Sequence, residues 1–187
     1  GTPTYGINLD RFGNYIQSHD IVGNRPLGER LNHRVTWETF QTAAALYLFL
    51  PGIPMLFMGE EFAASTPFLF FTDQNPELGN KIRQGRLEQH LSNPRWRDKK
   101  RWDTIPHPQM ESTFQASRID WDDANRNVHA IDLYKRLLCL RAEFIMRLDR
   151  RQESFSVERD GRLFTLVLRD HRGRDTVACV ANFDTQA

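Results

Sequence analysis

Cysteine is scarce in this sequence, with two residues in 187, Cys139 and Cys179. They stand far apart with no metal-ligand spacing around them. Both are read as free thiols of a reducing compartment, buried by packing as such residues usually are. An excess of either charge is also missing. The 25 Lys and Arg offset 24 Asp and Glu to leave a net charge of +1, so composition gives no global reason to expect nucleic acid or an anionic membrane surface. No apolar run reaches the roughly 18 residues of a membrane span, and the first residues do not look like a signal peptide. The histidines at 33, 90, 107, 129 and 171 are scattered, and no Ser or Cys sits in a nucleophile motif. Neither a metal nor a cofactor is therefore expected. What is present is 40% hydrophobic, 26% charged and 11% aromatic residues, an ordinary globular composition with material for one sizeable core.

The most informative stretch is Tyr15-Ile16-Gln17-Ser18-His19-Asp20-Ile21-Val22-Gly23-Asn24-Arg25. Phe12 to Ile16 has the length and composition of a buried strand. It gives way to Gln, Ser, His and Asp, and then to a Gly-Asn turn. In a β/α barrel, polar residues at the C-terminal end of a strand sit at the mouth of the active site. Alternatively, His19 and Asp20 merely cap a turn.

Gln17-Ser18-His19-Asp20, then Val22-Gly23-Asn24-Arg25-Pro26-Leu27-Gly28-Glu29-Arg30-Leu31, resembles one segment of the α-amylase-type glycoside hydrolases of family 13. Within them it is most similar to the maltooligosyltrehalose trehalohydrolase branch. The chain departs from that branch at Ser18, where Asn is usual, and at Ile21, where Gln is usual. Gly52-Ile53-Pro54-Met55-Leu56-Phe57-Met58-Gly59-Glu60-Glu61 resembles the last barrel strand of the same family. Pro67-Phe68-Leu69-Phe70-Phe71-Thr72-Asp73, Pro76-Glu77-Leu78-Gly79, Arg83-Gln84-Gly85-Arg86 and Pro106-His107-Pro108-Gln109 resemble the trehalohydrolase branch in particular.

Taken in order, Gly1 to Arg11 reads as a loop into the first strand, and residues after Asp20 read as a polar loop to about Val35. Thr36 is a fitting N-cap and Glu38 suits the first turn of a helix from Trp37 to Leu50, buried on most faces. Pro51-Gly52 stops it, and Ile53 to Met58 reads as a second strand. Phe62 to Trp121 is long for a loop and should be functional or hold short helices of its own. Its aromatic cluster, residues 67–73, is either core packing or a platform for the apolar face of a sugar. Residues 95–102 combine basic residues with Trp96 and Trp102. That combination can bind single-stranded nucleic acid, but a surface insertion fits the balanced charge better. Val128 to Leu148 is an amphipathic helix with Asn127 as its cap. Its apolar stripe runs Ile131, Tyr134, Leu138, Ile145 and Leu148, widened by Leu133, Leu137, Leu140 and Phe144. Three strands follow, at Ser154–Arg159, Leu163–Leu168 and Val177–Phe183, with turns at Asp160-Gly161 and His171-Arg172-Gly173.

The expected fold is α/β: the last two strands and helices of a (β/α)8 TIM barrel over residues 1–151, then the start of a truncated all-β sandwich over 152–187. A whole barrel typically needs about 250 residues, so a C-terminal fragment is expected. By resemblance, Asp20 is the carboxylate that stabilises the transition state, and His19, Asn24, Arg25, Glu61, Phe70 and Phe71 contact substrate. The family's nucleophile and acid/base come from earlier strands and are expected to lie outside this chain. The implied substrate is an α-1,4-glucan oligosaccharide capped with trehalose, cleaved next to the terminal trehalose. The implied partner enzyme is maltooligosyltrehalose synthase, and the implied setting is cytoplasmic, without nucleic acid or membrane. A branching or debranching enzyme of the same family, which Ser18 favours, and a non-catalytic carbohydrate-binding module remain as alternatives.

Overall fold

The computed structural model describes residues 6–184 except 93, 149, 150, 152, 153 and 171. The expected boundary after residue 151 and His171 of the second turn fall at or among residues outside this description. The chain divides into two compact units, each assembled from separated stretches. The first holds residues 1–16, 35–62 and 127–187, and the second holds 17–34 and 63–126.

In the first unit β1 (Gly13–Asn14) pairs in parallel with β2 (Ile53–Pro54), joined by the helix α2 (Trp37–Phe49), so strand, helix and strand follow in the expected order. The strands are much shorter than the expected Phe12–Ile16 and Ile53–Met58. Among the described residues each has a partner on one side only, and a parallel strand with one partner has few hydrogen bonds to extend it. Tyr15, Ile53 and Met55 stay exposed on this pair.

The start of α2 is as the sequence predicts: the Thr36 side chain accepts from the Thr39 N–H, and Glu38 lies in the first turn. Phe40, Ala44, Tyr47 and Leu48 are buried. Its C-terminal end is closed by a residue 91 positions further on. The guanidinium of Arg141 donates to the carbonyl of Leu50 at 2.6 Å, and also to those of Leu48 and Gly52. These are carbonyls a helix end leaves without partners, and a cation there also complements the helix dipole.

Arg141 belongs to the segment that follows α6 (Val128–Leu140), where the backbone winds into a π turn over Arg141–Ile145. The expected cap is not made: Asn127 makes no side-chain cap and instead donates to the Phe62 carbonyl at 3.0 Å. The buried line of α6 runs Ala130, Tyr134, Leu137 and Arg141, while Leu138, Leu140 and Phe144 of the expected stripe are exposed. One extra residue per turn at a π bulge rotates the following side chains, and Ile145 and Leu148 re-enter a core with Leu166 and Leu168.

That core lies on one face of an antiparallel sheet of β3 (Phe155–Asp160), β4 (Leu163–Arg169) and β5 (Asp175–Asn182) in sequence order. Phe155, opposite Leu168, and Val177 and Cys179, opposite Leu168 and Leu166, pack on the same cluster. The β3–β4 hairpin turns where expected, with Gly161 at φ +56°, a conformation open to glycine at little cost. Of the two free thiols, Cys179 is half-buried against this core. Cys139 is exposed, contrary to the packed position expected of it, because it sits on the outer side of α6.

The second unit contains the short helix α1 (His19–Gly23), then α3 (Pro76–Gln89), α4 (Glu111–Ala116) and α5 (Asp122–Arg126), with 3-10 turns between them. The long segment after Phe62 therefore holds short helices of its own. Leu87, Trp96 and Ile105 form one core cluster in it, flanked by Leu27 and Trp102. The Trp102 indole N–H donates to the Trp96 carbonyl at 3.0 Å. Residues 95–102 are thus more than a surface insertion, and their tryptophans are engaged with the protein rather than displayed as a stacking platform.

Candidate functional site

Within the second unit, Ser18 opens α1. Its hydroxyl oxygen accepts from the Ile21 N–H at 3.2 Å, and Val22 and Gly23 are buried behind it. Ser18 is the cap, so the turn-capping role that the sequence left open for Asp20 is filled by its neighbour. His19 and Asp20 stand outward from the first turn, their side chains 73% and 75% exposed, with Nε2 of His19 3.3 Å from Oδ1 of Asp20. Just before them, buried Gln17 turns inward and accepts from the Leu31 N–H at 2.8 Å. The pair is therefore two open polar groups on a fixed base, free to exchange hydrogen bonds with a ligand.

The loop after α1 is held against residues 63–69. Gly28 has φ +60°, and a Cβ there would meet the Phe68 carbonyl oxygen at 2.5 Å, so this position requires glycine. The Phe68 N–H donates to the Gly28 carbonyl at 2.9 Å. Fully buried Arg30 donates through Nε to the Thr66 carbonyl at 2.7 Å. His33 accepts the Arg30 N–H on Nδ1 and meets the Ala64 carbonyl through Nε2 at 2.9 Å, a pattern that fits the neutral ring protonated on Nε2. Further along, the Asp123 carboxylate accepts from both the N–H and hydroxyl of Ser65, at 2.7 and 2.8 Å. Burial by itself would raise its pKa. The Ser65 donors and the Arg126 guanidinium outweigh that and hold it below the ordinary carboxylate value.

Asn24 and Phe70 meet through a residue that the motif reading quoted without assigning a role. Arg86 donates to the Asn24 side-chain oxygen at 3.0 Å and to the Gly23 carbonyl at 2.8 Å. Its guanidinium also lies 4.1 Å from the centre of the Phe70 ring. Burial lowers the Arg86 pKa but leaves it a cation. Arg25 turns to its own loop, donating to the Glu29 carbonyl, and its pKa is lowered by burial and then by Arg34. Phe71 packs edge-on against Phe68 and Phe114 at ring distances of 5.9 and 5.2 Å. Leu69 is buried while Phe70 and Phe71 are exposed, so the aromatic cluster divides between core and surface.

Glu61 lies in the first unit, half-buried. Its neighbour Glu60 is completely buried, and one oxygen of its side chain accepts from the hydroxyls of Tyr47 and Tyr134 at 2.8 and 3.0 Å. Burial, and then the charge of Glu60, push both tyrosine pKa values far up, so both phenols remain donors. The structurally bonded member of the acid pair is thus Glu60, and Glu61, expected by resemblance to contact substrate, is the less buried of the two. Adjacent acids look alike in sequence, and only the two distant tyrosines distinguish them. Among the described residues no group of three or more His, Cys, Asp or Glu could hold a metal ion. Among the same residues no helix is long and apolar enough to cross a membrane.

No family model matches the chain. Its relatives are nonetheless consistent. It is 39% identical over 165 residues to the malto-oligosyltrehalose trehalohydrolase of Deinococcus radiodurans, a match covering 86% of this chain and 26% of that protein. With the protein of the same name from Brevibacterium helvolum the identity is 42% over 132 residues, covering 68% and 21%. With that of Mycobacterium tuberculosis it is 36% over 179 residues, covering 94% and 30%. The fold matches a crystal structure of a Salmonella typhimurium protein described as an alpha amylase, with a TM-score of 0.84 and 30% identity over 98% of this chain and 31% of that one. The chain is a mixed α/β structure homologous to the malto-oligosyltrehalose trehalohydrolases over most of its own length, and it spans less than a third of theirs.

Proposed function

We propose that this chain is the C-terminal part of a trehalohydrolase, with residues 1–151 supplying the last two strands and helices of a (β/α)8 barrel and 152–187 beginning a β domain. The complete protein hydrolyses the α-1,4 bond next to the terminal trehalose of maltooligosyltrehalose, releasing trehalose and a shortened maltooligosaccharide. It acts on the product of maltooligosyltrehalose synthase, in the cytoplasm. The observation that carries this reading is the 36–42% identity to proteins of that name across most of the chain.

Within that reaction Asp20 accepts hydrogen bonds from sugar hydroxyls at the cleaved bond, and His19 donates to the same sugar. Such bonds strengthen as the ring flattens toward an oxocarbenium-like state, which makes them catalytic rather than only adhesive. Asn24, Arg25 and Glu61 contact substrate, and Phe70 and Phe71 cover its apolar face. The nucleophile and the proton donor come from other segments of the complete protein.

The test is product analysis of the full-length protein with maltotriosyltrehalose. Release of free trehalose supports the reading. New α-1,6 branches on amylose with no trehalose would return the branching-enzyme alternative, which Ser18 favours by resemblance. Binding of the oligosaccharide without turnover would return the binding module.

A further inference from the structure

We propose that the pocket between residues 71–73 and 108–114 is a glucosyl-binding site in which Phe71 and Phe114 hold the apolar face of one pyranose ring and Asp73 and Glu111 accept its hydroxyls. The inference rests on the α-glucan reading above and adds the residues that recognise one sugar unit of that substrate class. The cavity is about 540 Å³, within the usual range for small-molecule sites.

The lining separates into two kinds of surface. Phe71, Met110 and Phe114 are exposed although apolar. The two phenyl rings meet at 5.2 Å and 73°, so they form an apolar corner rather than a flat wall. A pyranose has one such apolar face, made by its axial C–H groups, and its hydroxyls project outward from the ring's edge. Around that corner stand Asp73 and Glu111. A carboxylate is an acceptor only, with about four sites for donors. Among the described residues the Asp73 carboxylate makes no hydrogen bond, and Glu111 accepts one long bond from Gln115 at 3.4 Å. Both therefore keep capacity for neighbouring hydroxyl donors. Among the described residues no lysine or arginine lines the cavity, which disfavours a phosphorylated or carboxylate ligand.

The walls are also held in place without a ligand. The Thr72 N–H donates to the Pro108 carbonyl at 2.9 Å. Gln109 accepts from the Gln74 N–H at 3.2 Å and donates to its carbonyl at 2.6 Å, tying the two rims together. Gly79 of α3 lies so close that a Cβ would come within 2.5 Å of the Gln109 amide nitrogen. Thr113 donates to the His107 carbonyl at 2.7 Å, fixing the start of α4. A pocket already shaped in this way loses little order when it is filled.

The experiment is a soak of crystals of the full-length protein with maltotetraose, joined to calorimetric titration of wild type, Phe114→Ala and Asp73→Asn. The expected result is a glucose ring against Phe71 and Phe114 with its hydroxyls on Asp73 and Glu111. Both variants should bind at this site at least tenfold more weakly. Phe114 lies on the surface of a short helix, and Asp73→Asn conserves shape, so one of the two variants remains informative if the other misfolds. A pocket left empty, one filled by the protein's own chain, or one that takes choline in preference to maltotetraose would overturn the proposal, as would unchanged affinity in both variants. Sugar bound here without trehalose release refutes the reaction and leaves the pocket standing. Trehalose release with an empty pocket does the reverse.

Discussion

Arg86, in the last turn of α3, donates to the Asn24 side-chain oxygen across 62 residues of sequence, at 3.0 Å. The same guanidinium holds the Gly23 carbonyl and lies over Phe70, so one side chain sets the loop after α1 against the aromatic cluster. Arg86→Lys keeps the charge but loses the planar fork that reaches two acceptors at once. With a hydrogen bond from a charged donor contributing about 1.5–3 kcal/mol, the substitution should destabilise by roughly 2 kcal/mol. Chemical denaturation of the full-length protein measures this; an unchanged midpoint would mean that the fork contributes nothing.

Asp20→Asn tests the proposed role of the open carboxylate. It preserves size but removes the charge and places a donor where sugar hydroxyls need an acceptor. Two hydrogen bonds to a charged group make the loss about 3–6 kcal/mol, a fall in rate of roughly 10² to 10⁴. Because the bonds tighten in the transition state, kcat should fall far more than KM rises. Wild-type kcat with a lowered Tm would remove Asp20 from the active site.

Arg141→Met removes the donor group for the carbonyls of Leu48, Leu50 and Gly52 and leaves its volume filled by an apolar chain. A buried polar group without a partner costs about 1–3 kcal/mol, so the loss should be on the order of 3 kcal/mol or more. Equilibrium unfolding of the full-length protein reads it directly. A change below about 1 kcal/mol would show that water or neighbouring donors replace the guanidinium.

The pH dependence follows from His90, which is buried and whose pKa is lowered from 6.5 by that burial and then by the charge of Arg86. His107 is lowered in the same direction by burial and by Arg83. In each case the unfolded chain takes up the proton at a higher pH than the folded one. The stabilisation is therefore complete above about pH 6.5 and is lost as pH falls through the folded-state value. Unfolding free energies measured from pH 7.5 to 5 should decline, and the slope should lessen in His90→Asn. An equal slope in that variant would place the titration elsewhere.

Much of the first unit was legible in the sequence because its signals are local. Thr36 caps α2 through its own side chain, the Pro51-Gly52 stop lies at the helix end, and Asp160-Gly161 turns the β3–β4 hairpin. What escaped depends on partners far along the chain. Arg141 lies within the expected amphipathic helix with no local signal of burial, yet carbonyls about ninety residues earlier draw it inside. Glu60 and Glu61 differ only through Tyr47 and Tyr134. Arg86 could have been noticed as one of two cations in a quoted motif, but its acceptors are a backbone carbonyl and an amide, which no charge pattern marks. Trp96 was read with the basic residues around it, whereas its ring completes a core with Leu87 and Ile105.

The span between Gly52 and Arg141, 89 residues, also fixes an order of events at the ribosome. At about 5–20 residues per second, the end of α2 is made roughly 4–18 s before the residue that closes it. During that interval the helix end can bind only water or a passing donor. A nascent chain stalled before residue 141 is consequently a natural client for a chaperone, and one stalled well beyond it is not.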